Sequence, residues 1–256
     1  MVTGRVAVTG AGASIRKTPT MSPTSAAAAF PAGDPDLSVD VVSYGPDIPD
    51  ESSLRLLGSV EGRRALVLGV GNGRIPMVLA KQGAHVIVLD PDHGALEDAR
   101  DLADAEDQRL ELHQGDMADL AFVRADTVDV ALSIYELGRF GDLDRVLRQV
   151  HRVLRPGAHL VCSLPHPAFL MLDAEGDDPF RIVQGYADRT GRETDGTVVF
   201  PRTVTEVFFS LHRANFRIDT VLEPVPVPGA DRGPFWNEAM AKVPATLIVR
   251  GRKEGI

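Results

Sequence analysis

The sequence is short of cysteine. Its single Cys162 excludes any disulfide within the chain, and its place in the apolar run HLVCS predicts a buried, inert thiol. Basic residues are also short, with Lys and Arg together at 27 against 36 Asp and Glu, a net charge of -9. Phosphate backbones are held by clustered Lys and Arg, so this balance excludes a general nucleic-acid binder and predicts a small or neutral substrate. No apolar run approaches the roughly 18 residues that a membrane span needs. The first 38 residues lack the basic-then-apolar order of a secretory signal, so no membrane partner and a cytoplasmic location are expected. The seven histidines show no paired metal-ligand spacing, and no metal is expected.

With 256 residues and 44% apolar content, the chain can bury one substantial core, and a single domain over 39–256 is expected, as a monomer or homodimer. Residues 1–38 are rich in Ala, Pro, Ser, Thr and Gly and have little apolar surface to offset ordering entropy, which predicts a disordered tail. Within that tail RVAVTGAGASI imitates the start of a short-chain dehydrogenase, yet the third glycine is missing and TPTMSPTSAAAAFPAG follows where a helix should be. Met21 is an alternative start that would remove the imitation altogether.

The most informative stretch is RALVLGVGNGR, residues 64–74. Ala65 to Leu68 are apolar without alternation, as in a parallel strand buried on both faces. Gly69, Gly71 and Gly73 then let the backbone turn and approach a ligand. A dinucleotide fingerprint places its third glycine at the sixth position, which here is Arg74, and this weakens a pyrophosphate reading. Downstream, strands over 64–68, 85–90, 109–113, 128–133 and 159–163 alternate with helices over 73–82, 94–103 and 142–154. That rhythm predicts right-handed crossovers and a parallel sheet. A short helix is expected between Asp50 and Gly58, with Tyr44 in the turn before it.

Glycines at positions one, three and five, followed by LAKQGAHVIVLD with Asp90 closing the second strand, resemble the first two motifs of class I S-adenosylmethionine-dependent methyltransferases. LELHQGDMADL, VDVALSIYELGRF and LDRVLRQVHRVLRPGAHLVCSLPHP are similar to later motifs of the same family, and the resemblance covers about residues 40–251. It implies a three-layer, doubly wound α/β fold, Rossmann-like, with a mostly parallel seven-stranded sheet whose last strand, PATLIVRGRK, is antiparallel. The implied cofactor is S-adenosylmethionine, and the implied activity is methyl transfer to a small-molecule acceptor.

The same resemblance implies a site. Gly69, Gly71 and Gly73 cradle the cofactor, Asp90 accepts its ribose hydroxyls, Asp116 and Met117 read adenine, Ser133 lies beneath the sulfonium, and Tyr44 helps cover the ligand. One departure stands out: the family carries Asp or Glu two residues before the first loop glycine, where it helps hold the methionine ammonium, and this chain has Val67. The loss of one charge-assisted hydrogen bond costs on the order of 1.5 to 3 kcal/mol unless another group substitutes. His166, in Pro-His-Pro, and Tyr135, beside Glu136, are candidates for acid/base work, with a backbone-bonded His166 and a helix-starting Glu136 as the alternatives. Residues 167–200 exceed an ordinary loop and read as a substrate-side insertion or lid, with Phe169, Met171, Phe180 and Tyr186 as candidate walls. Two other readings stay open: a methyltransferase-like protein that binds without turnover, motivated by Val67, and an NAD(P)-dependent oxidoreductase, motivated by the glycine loop and Asp90.

Overall fold

A computed structural model describes residues 30–34, 36–174, 176–194 and 197–254. Seven strands form one sheet: β1 (Arg64–Leu68), β2 (His85–Asp90), β3 (Leu110–Gln114), β4 (Val128–Ile134), β5 (Leu154–Pro165), β8 (Phe216–Leu222) and β9 (Thr246–Lys253). A separate hairpin is made by β6 (Arg192–Thr194) and β7 (Thr197–Val199). The sheet order is β3-β2-β1-β4-β5-β9-β8, with β9 antiparallel to both neighbours. Order therefore reverses between β1 and β4, and the crevice beyond their carboxyl ends is where open α/β sheets bind ligands.

Helices cover both faces, and this explains why β1 does not alternate. Ala65 and Val67 face a core shared with Ile75, Val78, Leu79, Leu96 and Ala99, from α2 (Arg74–Lys81) and α3 (His93–Ala105). Leu66 and Leu68 face the opposite core, built with Val146, Leu147 and Val150 of α4 (Leu143–Val153) and Val207 and Leu211 of α6 (Val204–Arg213). Every position of β1 from Ala65 on thus loses its water to one layer or the other.

Local signals set the helix ends. Asp92 caps α3 by accepting from the N–H groups of Gly94 and Ala95, Asp142 caps α4, and Thr203 with Glu206 forms a capping box on α6. Asn215, just past α6, takes the left-handed conformation at φ 61°, as its residue type permits. The Arg155-Pro156-Gly157 stretch, which falls between the expected helix over 142–154 and strand over 159–163, is part of β5 from Leu154 onward. A register irregularity between Val128 and Val130 absorbs it.

The chain is already packed at Phe30. Phe30 and Leu37 are buried in the α2-side core, so the tail expected over 1–38 gives way to packed chain before residue 38; its first 29 residues, with the dehydrogenase-like run and Met21, lie outside the described residues. Asn72 Nδ2 donates to the Asp34 carbonyl and Arg74 Nη1 to the Leu37 carbonyl, which straps this segment across the glycine loop.

The short helix α1 (Glu51–Leu54) starts at its expected cap, Asp50, but ends at Arg55. Its Glu51 carboxylate accepts from the Tyr44 hydroxyl and from the N–H groups of Leu56, Leu57 and Gly58. Four donors thus converge on one carboxylate. Replacement Glu51→Ala is expected to lower unfolding free energy by roughly 2 to 3 kcal/mol, and Tyr44→Phe by about 1 kcal/mol, both read by urea denaturation.

Candidate cofactor site at the carboxyl ends of strands β1 and β4

Gly69, Gly71 and Gly73 all have positive φ, at 92°, 59° and 79°. A Cβ on Gly69 would lie 2.4 Å from Glu136 Cγ, and one on Gly71 would lie 2.6 Å from Pro31 Cγ. Glycine is therefore required twice over, by backbone conformation and by close approach. Gly69 also donates to the Leu89 carbonyl at 2.9 Å, holding the loop against β2.

Asp90 is buried at the end of β2. Its Oδ2 accepts from the Val70 N–H at 2.7 Å and its Oδ1 from the Asp92 N–H at 2.8 Å. Each carboxylate oxygen has a further lone pair, so two vicinal hydroxyls can still be accepted at the crevice. Ser133 is buried in β4 and donates to the Leu68 carbonyl at 3.2 Å, which ties the β4 exit to the β1 exit. Asp116 is half exposed in the turn after β3, its Oδ1 accepting from Ala118 N–H, while Met117 is fully buried beside it. These residues lie along the carboxyl ends of β1, β2, β3 and β4, on one edge of the sheet.

Other expected residues are committed elsewhere. The buried Tyr44 gives its hydroxyl to Glu51 at 2.6 Å, so it anchors α1 rather than offering a donor to a ligand. Tyr135 is fully buried in a left-handed conformation at φ 63°, its hydroxyl 2.6 Å from Thr246 Oγ1; burial drives its pKa upward, which disqualifies it as a base. His166 caps α5 (Pro167–Leu170), with Nδ1 accepting from Ala168 N–H at 3.1 Å. That bond puts the proton on Nε2, which lies 2.8 Å from Glu223 Oε1. Both ring nitrogens are thus occupied, and the backbone-bonded alternative describes His166 better than an acid/base role.

The insertion divides in the same way. Phe169 packs inside a satellite core with Leu172, Met240 and Ala245, while Phe180 and Tyr186 remain largely exposed. The segment between β8 and β9 carries a second piece of that core, which motif spacing did not reveal. Its Phe235 stacks edge-on to Phe30 at 5.9 Å, and Phe30 stacks edge-on to Tyr135 at 5.4 Å. The resulting aromatic trio joins three parts of the chain beside the glycine loop. Phe30 and Leu37, the large apolar residues of an otherwise small-residue stretch, were the available sign of the N-terminal strap.

Glu136 is the least expected member. It is buried against Gly69, its Oε2 3.1 Å from Arg139 Nη1. Burial first, then the charge of Asp90, pushes its carboxyl up to about 7 against an opposing pull from Arg139.

The methyltransferase domain family matches residues 66–162, from β1 to β5. A demethylmenaquinone methyltransferase of Clavibacter sepedonicus is 33% identical over 117 residues, 45% of this chain and 47% of that protein. A ubiquinone biosynthesis O-methyltransferase of Azorhizobium caulinodans is 28% identical over 109 residues, 43% of each chain. The chain thus spans about half the length of the curated relatives it matches. Among solved structures, an S-adenosylmethionine-dependent methyltransferase from Mesorhizobium loti aligns with a TM-score of 0.63 at 29% identity, covering 77% of this chain and 94% of its own. Residues 66–162 thus match a methyltransferase domain, and the chain resembles the class I S-adenosylmethionine-dependent methyltransferases, a family whose cofactor is S-adenosylmethionine. The left-handed glycine loop, the buried Asp90 and the reversal of strand order between β1 and β4 all fit it.

Two consequences are measurable. Gly69→Ala and Gly71→Ala are each expected to cost roughly 3 kcal/mol, because each adds a strained backbone conformation to a carbon that displaces Glu136 or Pro31. The second concerns pH. Glu136 has its carboxyl raised from 4.5 to about 7, so the folded protein holds this proton more tightly than the unfolded chain. Its contribution is full below about 4.5 and is lost as pH rises through about 7. Relative to Glu136→Gln, the wild type should therefore lose up to ~3 kcal/mol across that window, measured by denaturation at pH 4.5 and pH 8.

Proposed function

We propose that this protein transfers a methyl group from S-adenosylmethionine to a small, flat, aromatic acceptor of the quinol class. The observation that carries the reading is the left-handed glycine loop clamped to Asp90 at the crevice between β1 and β4. The acceptor class draws support from the quinone-pathway names of the two relatives and from the Phe30, Tyr135 and Phe235 rings grouped beside the loop.

Bound S-adenosylmethionine would supply a methyl group already activated on a sulfonium. The work left to the protein is to hold an acceptor lone pair or carbon in line and to exclude water. Asp90 would accept the two ribose hydroxyls, Asp116 and the backbone at Met117 would bind adenine, and the left-handed glycines would let the backbone lie close to the ligand. The aromatic rings would exclude water from the transfer. With His166 and Tyr135 committed to structural hydrogen bonds, positioning carries most of the rate, and the acceptor must lose its proton to solvent or arrive ionised.

A second reading, binding without turnover, is favoured by one observation: Val67 stands where the family has a carboxylate. The two separate cleanly. Calorimetry with S-adenosylmethionine should give binding in the wild type and a loss of about 10-fold or more in Asp90→Ala, from the two hydrogen bonds removed. Methyl incorporation into a reduced naphthoquinol or benzoquinol, followed by mass spectrometry, then decides: binding with transfer supports the enzyme, and binding without transfer to any quinol or catechol supports the second reading.

A further inference from the structure

Val67 leaves the methionine end of the cofactor without the acidic residue the family places there. The structure supplies another carboxylate beside Gly69, from the chain leaving β4. β1 and β4 are hydrogen-bonded neighbours with Val67 paired to Leu132, and Ser133 bonds the Leu68 carbonyl, so the two strand exits lie side by side. Chain leaving β4 turns sharply at the left-handed Tyr135, whose ring is pinned by Thr246 and Phe30. That turn lays the Glu136 side chain over Gly69, two residues past Val67, close enough that only a glycine fits beneath it.

We propose that the Glu136 carboxylate holds the ammonium group of the cofactor's methionine portion, in place of the carboxylate this chain lacks at position 67. The proposal rests on the reading of the crevice as an S-adenosylmethionine site. Its geometry is specific. Glu136 lies close enough to Asp90, the ribose acceptor, to feel its charge, and Gly69 is bonded to the Leu89 carbonyl of β2 and covered by Glu136. The ribose and the amino-acid portion of the cofactor hang from the same sulfur, so two acidic groups near enough to feel each other's charge suit its two hydrogen-bonding ends.

The charge pattern agrees. Glu136 is 8% exposed, and a carboxylate removed from water needs cationic donors around it. Arg139 reaches Oε2 alone, and no hydrogen bond to Oε1 is found among the described residues. An ammonium brings three donors on a compact cation and suits the remaining oxygen. Asp90, the other acid of the crevice, repels a second negative charge at Glu136, and an incoming cation relieves that repulsion. Arg139 then serves as the local counter-charge that keeps Glu136 in place.

A pair of ligands isolates this contact. S-adenosylhomocysteine carries the amino-acid portion; 5′-methylthioadenosine has the same nucleoside and thioether without it. Calorimetric titration of the full chain is run with both, on wild type, Glu136→Gln and Glu136→Asp, with thermal melting to confirm folding. Glu136→Gln is expected to weaken S-adenosylhomocysteine about 10- to 100-fold and 5′-methylthioadenosine less than about 3-fold. Glu136→Asp, which keeps the charge on a shorter arm, should recover part of that preference. An unchanged ratio between the two ligands in Glu136→Gln overturns the proposal while leaving the cofactor site standing, as does an equal loss for both, which marks a structural role. A wild type that binds neither ligand overturns the cofactor reading and this proposal together.

Discussion

The bond from the Val70 N–H to the buried Asp90 carboxylate is the constraint around which the crevice is organised. It joins the glycine loop, which follows β1, to the end of β2. Three consecutive alternate residues in left-handed conformations would otherwise have many ways to move, since glycine gives up more freedom on folding than any other residue. With the loop clamped at Val70 and Gly69 bonded to Leu89, α2 begins directly after Gly73, its N-cap. The position of the helix, and so of the whole α2-side core, follows from that tether.

A second consequence is electrostatic. Asp90 and Glu136 influence one another electrostatically in a chain that already carries a net charge of -9, and Arg139 pairs with Glu136. Such a site disfavours phosphates and favours ligands that bring positive charge. A sulfonium and an ammonium are two such charges on one molecule, whereas the pyrophosphate of a dinucleotide is the reverse. The arrangement thus argues against an oxidoreductase on grounds independent of glycine spacing.

The aromatic trio shows how the peripheral segments are recruited. Phe30, Tyr135 and Phe235 are separated by about a hundred residues each, yet edge-on stacking brings them together at the rim of the glycine loop. Each ring buries apolar surface that its own segment could not have buried alone. The N-terminal strap and the β8–β9 connection are therefore packed onto the central sheet through these rings.

Much of this was legible in the chain itself. Doubly buried strands announce themselves as unbroken apolar runs, and the bounds of β1 and β2 follow directly from where such runs stop. Asp50 and Asp142 marked helix starts for local reasons. The three loop glycines and Asp90 were also visible, because backbone conformation and strand-end position are properties of short sequence. What the sequence could not decide is which polar groups are already satisfied. Tyr44, Tyr135 and His166 look available in one dimension, and only the fold brings Glu51, Thr246 and Glu223 to them from 7, 111 and 57 residues away. Glu136 is the converse case: its spacing suggested a helix start, and only the side-by-side exits of β1 and β4 place its carboxylate over Gly69. Local chemistry determined the elements and the glycine loop; long-range packing decided which side chains remained free to act.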